Sequence, residues 1–219
     1  MGKTIAIIPA RGGSKRLPGK NTKELNGLPL LAHSILYAQA HPELIDDIYV
    51  STDDAEIKAV ALRFGAKVID RPVAISGDLE PTVSALKHVI SHVSADTIVL
   101  LQPTNPLRPT GLLSEALAIF RENNCDSLFT VTRSHHKLGR IVHERFRPFN
   151  YKPGQRSQDL EPLYFENGLL YISTRKLILA DTIMSPDAFP LEVNHPFASV
   201  DIDTQQDFDF AQYLLKQTP

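Results

Sequence analysis

Ile7-Ile8-Pro9-Ala10-Arg11-Gly12-Gly13-Ser14-Lys15-Arg16-Leu17-Pro18-Gly19-Lys20-Asn21 is an apolar run that turns directly into a glycine-rich segment carrying four cations. Glycines let backbone N–H groups approach phosphate oxygens, and Arg11, Lys15, Arg16 and Lys20 can oppose the roughly four negative charges of a nucleoside triphosphate. The stretch reads as a buried strand feeding a polyphosphate loop. It is not a Walker A loop, because the spacing from Gly13 to Gly19 is too long and Asn21 stands where the Mg²⁺-binding Ser or Thr belongs. Nor does it contain Gly-x-Gly-x-x-Gly, so a dinucleotide fingerprint is excluded. The competing reading is a basic surface turn without a ligand.

Outward from this stretch, strand and helix patterns alternate, which is the mark of a parallel sheet covered by helices on both faces. Strands are expected at Thr4–Pro9, Ile48–Ser51, Ala66–Ile69, Thr97–Leu101 and Ser127–Thr132. Between them, apolar residues recur at helical spacing around Leu31, Ile35 and Ala38, then Ile57, Val60, Ala61 and Phe64, then Val83, Leu86 and Ile90, then Leu113, Leu117 and Phe120. From Arg133 to Gln158 periodicity fades and Arg, His, Lys, Pro and Gln dominate. Regular structure is expected again at a strand Gly168–Ser173, a strand ending in Asp201–Asp203, and a last helix with Thr204 and Asp207 forming a capping-box-like pair.

The 219 residues suffice for one α/β domain with a small appendage. A net charge of −2 gives no whole-protein drive toward nucleic acid or an anionic membrane. Cys125 is the only cysteine, so there is no internal disulfide, and a reducing cytoplasm is the expected location. The apolar run before Arg11 is too short for a signal peptide, and no stretch approaches the ~20 apolar residues of a membrane span. A serine-hydrolase elbow, Gly-x-Ser-x-Gly, is absent.

Asp201 and Asp203, two apart on an expected strand, would present both carboxylates on one face and could share a cation such as Mg²⁺ with substrate phosphates. The bland alternative is a polar sheet end facing water. Asn21, Thr82 and Gln102 fall at strand ends or helix starts, the edge at which open α/β sheets bind ligands, although capping and turn formation would also account for them. His135 and His136, adjacent in a polar segment, point to opposite faces of an extended chain and do not make a metal site.

The first motif resembles that of the acylneuraminate cytidylyltransferase (CMP-sialic acid synthetase) family, and the likeness continues to the C-terminus. Asn21–Leu31, Val50-Ser51-Thr52-Asp53, Leu101-Gln102-Pro103-Thr104-Asn105-Pro106-Leu107-Arg108 and Val200-Asp201-Ile202-Asp203-Thr204 resemble its successive signatures in order. The resemblance implies one Rossmann-like, GT-A-like nucleotidyltransferase domain over 1–219, with 133–158 as an inserted dimerisation arm; a disordered loop is the alternative for that arm. It implies transfer of CMP from CTP to the anomeric hydroxyl of a nonulosonic acid, such as N-acetylneuraminic or legionaminic acid, in a homodimer. It further implies nucleotide contacts from Ala10, Arg11, Gly12, Gly13, Ser14, Lys15, Lys20, Asn21 and Thr82, with Arg11, Lys20 and Asp203 catalytic. Asp201 and Asp203 would hold Mg²⁺, with Mn²⁺ an alternative, and Asp203 would help take the hydroxyl proton.

Gln155–Leu160 and Tyr164-Phe165-Glu166-Asn167-Gly168 resemble the family's acceptor segments, which implies sugar contacts from Gln102, Arg156, Gln158 and Tyr164. Arg156 is the best cation for the sugar carboxylate, because a guanidinium pairs with it bidentately. Where many relatives carry Arg, this chain has Phe165, so that contact does not carry over. An octulosonate (Kdo) cytidylyltransferase is a rival, since it shares Arg16-Leu17-Pro18-Gly19-Lys20, but Gln102–Leu107 departs from its Gln-Gly-Asp-x-Pro motif. A non-catalytic nucleotide-binding regulator is a second rival, disfavoured by the presence of both aspartates.

Overall fold

The computed structural model describes residues 2–217. Its elements in chain order are β1 (Thr4–Pro9), β2 (Glu24–Leu25), β3 (Leu28–Pro29), α1 (Leu30–Gln39), β4 (Asp47–Thr52), α2 (Ala55–Arg63), β5 (Lys67–Asp70), α3 (Thr82–His92) and β6 (Thr97–Leu100). These are followed by α4 (Leu112–Glu122), β7 (Ser127–Ser134), β8 (Gly139–Val142), β9 (Arg145–Pro148), β10 (Leu163–Thr174), α5 (Arg175–Leu179), β11 (Phe189–Glu192) and α6 (Gln205–Gln217). The seven-stranded sheet has the order β11-β7-β10-β6-β1-β4-β5 and is parallel except for β10, which runs antiparallel to both β6 and β7.

This order places the binding edge. From β1 the chain winds outward through β4 and β5, then returns to lay β6 on the other side of β1. The carboxyl ends of β1 and β6 therefore flank a topological switch point, where a crevice opens because successive loops leave in opposite directions. The glycine-rich loop leaves β1 at this crevice, and Leu101–Arg108 leaves β6 beside it.

Alternate residues of the central strands feed two cores. Ala6, Ile8, Val50 and Val99 pack beneath α1, α2 and α4, while Ile5, Ile7, Ile98 and Leu100 pack against Leu86, Val89 and Ile90 of α3. A third cluster joins Leu17, Leu25, Leu30 and Leu107 to Ile202 and Phe208, so the glycine-rich loop and the C-terminal segment share one apolar anchor. Asp54 starts α2 by accepting hydrogen bonds from the backbone N–H groups of Glu56 and Ile57, both at 2.9 Å. The Thr204–Asp207 capping pair forms as expected, with Asp207 Oδ2 accepting from the Thr204 N–H at 2.7 Å and its hydroxyl at 2.8 Å.

Two expectations need correction. Residues 200–203 are not a strand. Among the described residues no backbone ladder ties them to the neighbouring loop; the Ile202 N–H bonds the Thr104 carbonyl (2.8 Å) and Asn105 Nδ2 the Val200 carbonyl (2.8 Å). Pro103 and Pro106 offer no N–H to extend a ladder, and the Asn105 side chain substitutes for a missing backbone donor. The argument that puts Asp201 and Asp203 on one strand face therefore fails, whatever brings them together. The second correction concerns 133–158, which is not without regular structure: β7 runs on to Ser134 and β8 and β9 form an exposed hairpin turning at His143 and Glu144, whose φ values of 48° and 59° fit a primed turn.

Candidate active site

Four backbone and side-chain bonds fix the glycine-rich loop. The Ala10 N–H donates to the Ser51 carbonyl (2.9 Å), the Gly12 N–H to Asp53 Oδ1 (2.9 Å), Asn21 Nδ2 to the Arg11 carbonyl (3.0 Å), and the Lys23 N–H to the Gly19 carbonyl (2.9 Å). Gly13 and Gly19 take φ of 66° and 64°, the left-handed region that favours glycine. A Cβ at Gly12 would come within 3.0 Å of the Asp54 side chain. The loop's conformation thus depends on its glycines, as the motif suggests.

All four loop cations are paired with carboxylates. Arg11 and Lys15 both close on Asp78, from the segment preceding α3. Arg16 and Lys20 both hold Asp203, at 2.7 and 3.0 Å, and Lys20 Nζ also donates to the Ile202 carbonyl (3.0 Å). Hydrogen bonds from Lys15 first and Arg11 next hold the Asp78 carboxyl below the usual range, and the charges of the two cations add to this. Two carboxylates therefore stand where an anionic ligand would find its counter-charges.

Three small cavities and one larger one line the switch point. Gly12, Gly13, Ser14, Lys20 and Asn21 line one of about 200 Å³, and Arg11, Ser14, Lys20, Asn21 and Thr104 another of about 130 Å³. A third, of about 180 Å³, is lined by Arg11, Arg71, Glu80, Thr82 and Gln102. Here Thr82 opens α3 without capping it, so its hydroxyl is available to a ligand. Arg71 went unread in the sequence. Its guanidinium is buried and directed by Ser51, donating to Oγ (3.1 Å) and the carbonyl (2.6 Å), which leaves Nη1 for a polar ligand edge. Nothing in the local pattern marks it, since Arg71 follows β5 as an isolated basic residue.

The larger cavity, of about 510 Å³, is lined by Gln102, Asn105, Phe165 to Gly168, Tyr171, Ala198, Ser199 and Asp201. Gln102 lines both this cavity and the one holding Arg71 and Thr82, so it stands between two ligand-sized spaces. Phe165 belongs to the cavity wall and not to the core, being 42% exposed. Arg156, Gln158 and Tyr164 are not among the lining residues. Arg156 is exposed and forms a bidentate pair with Asp159 (2.7 and 3.0 Å), Gln158 sits in the following 3₁₀ turn, and Tyr164 pairs with Arg133 at the exposed end of β10.

The aspartate pair joins the two spaces: Asp201 lines the larger cavity and Asp203 holds the loop cations. Although Asp201 sits at an open mouth, protein packed round its carboxyl pushes its pKa up, and the nearby charges of Asp203 and Asp207 push it further; the Thr104 hydroxyl and Lys20 oppose this in part. A carboxylate in that position gains from a cation. Among the described residues no three His, Cys, Asp or Glu side chains are grouped to hold a metal alone. Two carboxylates short of a full cage suit Mg²⁺, which is commonly held by one or two carboxylates plus substrate phosphates.

A family model described as "Cytidylyltransferase" matches residues 5–218. The chain belongs to the cytidylyltransferase family. Among similar proteins, the pseudaminic acid cytidylyltransferase of Campylobacter jejuni serotype O:23/36 is 36% identical over 230 residues, covering 98% of this chain and 97% of that one. The CMP-N,N'-diacetyllegionaminic acid synthase of Legionella pneumophila is 35% identical over 239 residues, with the same coverage. The N-acylneuraminate cytidylyltransferase of Streptococcus agalactiae serotype V is 33% identical over 94% of this chain and 52% of its own length. Among solved structures, CMP:2-keto-3-deoxy-manno-octonic acid synthetase complexed with CTP superposes with a TM-score of 0.73 at 19% identity, over 99% of this chain and 100% of that one. It shows that this cytidylyltransferase has the nucleotidyltransferase fold.

Proposed function

We propose that this cytidylyltransferase transfers CMP from CTP to the anomeric hydroxyl of a nonulosonic acid, and that the acceptor is a 9-deoxy, diamino sugar of the legionaminic type; the Campylobacter and Legionella relatives are named for pseudaminic acid and N,N'-diacetyllegionaminic acid. The observation that carries this is Gln102, the shared wall of a cavity beside the phosphate loop and a larger cavity edged by Asp201. The triphosphate takes the place of Asp78 on Arg11 and Lys15, with the loop N–H groups on its oxygens. The acceptor oxygen forms a bond to the α-phosphorus, the bond from that phosphorus to the bridging oxygen breaks, and pyrophosphate leaves with the electron pair. Bound at Asp201 and Asp203, Mg²⁺ (or Mn²⁺) would supply charge neutralisation for the phosphates. The Asp203 carboxylate is occupied by Arg16 and Lys20, so we assign the hydroxyl proton to Asp201, which borders the acceptor cavity.

Phe165 supports the deoxygenated acceptor. A phenyl ring in the wall offers apolar contact where a guanidinium would bind hydroxyls, and a site without polar partners penalises a polyhydroxylated sugar. Pyrophosphate release with CTP and Mg²⁺ tests both parts. N,N'-diacetyllegionaminic acid should be used at least as well as N-acetylneuraminic acid, and Phe165→Arg should move the preference toward the latter. A wild-type preference for N-acetylneuraminic acid above about tenfold, near 1.4 kcal/mol, would contradict the acceptor assignment only. Release with an octulosonic acid alone would favour the Kdo rival, and no release with any of the three sugars the regulatory one.

We further propose a homodimer built on the 133–158 arm, in a cytoplasmic setting suited to a chain with one cysteine. The hairpin exposes Ile141, Phe146 and Phe149 at 79, 53 and 63% of their surfaces, an apolar display that a second copy would cover. Light scattering at micromolar concentration should give twice the chain mass, and deletion of the hairpin should return the monomer. A monomeric intact chain would refute this.

A further inference from the structure

The larger cavity contains a carboxylate that the proposed transfer does not use. Glu166 lines it together with Tyr171, and the Tyr171 hydroxyl donates to Glu166 Oε1. On a regular strand residues five apart point to opposite faces. Here β10 is irregular between them: Glu166 pairs with Val131 and Tyr171 with Phe129, so five steps of β10 oppose two of β7. Bulges of this kind re-aim side chains beside functional sites. This one is firmly built. Asn167 is buried, its Nδ2 donating to the Thr132 hydroxyl (2.9 Å) and its Oδ1 accepting from the Thr130 hydroxyl (2.6 Å) and the Leu169 N–H (3.1 Å). Gly168 takes φ of 76°, and a Cβ there would lie 2.8 Å from Asn105 Oδ1.

The chemistry that results is directional. Burial, with the neighbouring Glu166 carboxylate adding to it, holds the Tyr171 phenol far above its usual range, so the hydroxyl remains a donor and occupies one oxygen of Glu166. Among the described residues Glu166 has no ion pair, and its Oε2 accepts no hydrogen bond. Among the described residues no Lys, Arg or His lines the cavity. An ionised carboxylate accepts and cannot donate, so the group it meets must carry an N–H or O–H. The same charge repels the acceptor's own carboxylate, which must bind at another end of the site.

Resting on the proposed function, we propose that Glu166 is a specificity-determining residue: Oε2 accepts a hydrogen bond from an N–H or O–H of the acceptor sugar, and Tyr171 is the positioning residue that fixes it. The test is steady-state pyrophosphate release with N,N'-diacetyllegionaminic acid and with N-acetylneuraminic acid, in wild type, Glu166→Gln, Glu166→Ala, Tyr171→Phe and the Ala/Phe double variant. Glu166→Gln should raise the KM of the better acceptor at least tenfold and leave the KM for CTP within twofold, because the amide presents N–H groups to a donor. Tyr171→Phe should raise it less, and should add nothing to Glu166→Ala, because the tyrosine acts through the carboxylate. An acceptor KM within twofold of wild type in Glu166→Gln overturns the inference, as does a loss shared equally by CTP. A wild type inactive with both sugars overturns the proposed function, and this inference with it.

Discussion

Asp203→Asn and Asp201→Asn should each lower turnover by roughly 10² to 10⁴-fold while the fold survives, equivalent to about 3 to 5 kcal/mol of lost transition-state stabilisation. The separation of activity from stability follows from where the two carboxylates sit. Asp203 keeps 31% of its side chain exposed, and its pairs with Arg16 and Lys20 are partly solvated, so their contribution to folding is at most about 1 kcal/mol. Its backbone N–H bonds Asp207 Oδ2 at 3.1 Å, and an asparagine preserves that bond. At position 201 an amide oxygen can still accept from Thr104, so the local chain path is kept. What disappears in both variants is negative charge between the loop cations and the larger cavity. The measurement is pyrophosphate release at saturating Mg²⁺ beside a thermal unfolding curve. A variant keeping half of wild-type activity would remove its aspartate from the site.

The sequence was most legible where local and global signals agree. Thr4–Pro9 reads as a buried strand because an unbroken apolar run ends at a proline and a glycine-rich turn, and the observed β1 has those limits. The glycines of the following loop are legible for the same reason, since a positive φ leaves a compositional trace. Asp201 and Asp203 are legible as a pair but not in their geometry. Val200 and Ile202 alternate with them as in a strand, yet both are buried in a cluster shared with the phosphate loop, with no ladder beside them. Apolar alternation reports burial and cannot tell an extended coil from a strand. Glu166 was passed over because its meaning depends on a bulge, and bulges leave only Asn167-Gly168 as a mark. Arg71 and Asp78 were missed because each acts through a partner distant in the chain, Arg71 through Ser51 and Asp78 through Arg11 and Lys15.

The signature Leu101–Arg108 holds a further residue whose role only the packing discloses. Arg108 lies inside the protein with its guanidinium fully enclosed; Nε donates to the Leu169 carbonyl (2.6 Å), Nη1 to the Ser34 hydroxyl (3.0 Å) and Nη2 to the Gln102 carbonyl (2.9 Å). No carboxylate pairs with it among the described residues, and burial pulls its pKa down to about 10, which still leaves it charged at neutral pH. One fork thus ties α1, β10 and the loop carrying Gln102. In Arg108→Met the aliphatic volume is kept, but three acceptors lose their donor. Each costs about 1 to 3 kcal/mol when buried and unpaired, and removing a buried charge returns part of that. A net loss of about 3 kcal/mol is expected, a fall of roughly 6 to 12 °C in Tm for a chain of this size. Arg108→Lys should recover little of it, because a single ammonium cannot span three acceptors set for a planar fork. Calorimetry or thermal circular dichroism reads the effect, and a Tm within about 2 °C of wild type for Arg108→Met would show that the fork does not hold the crevice together.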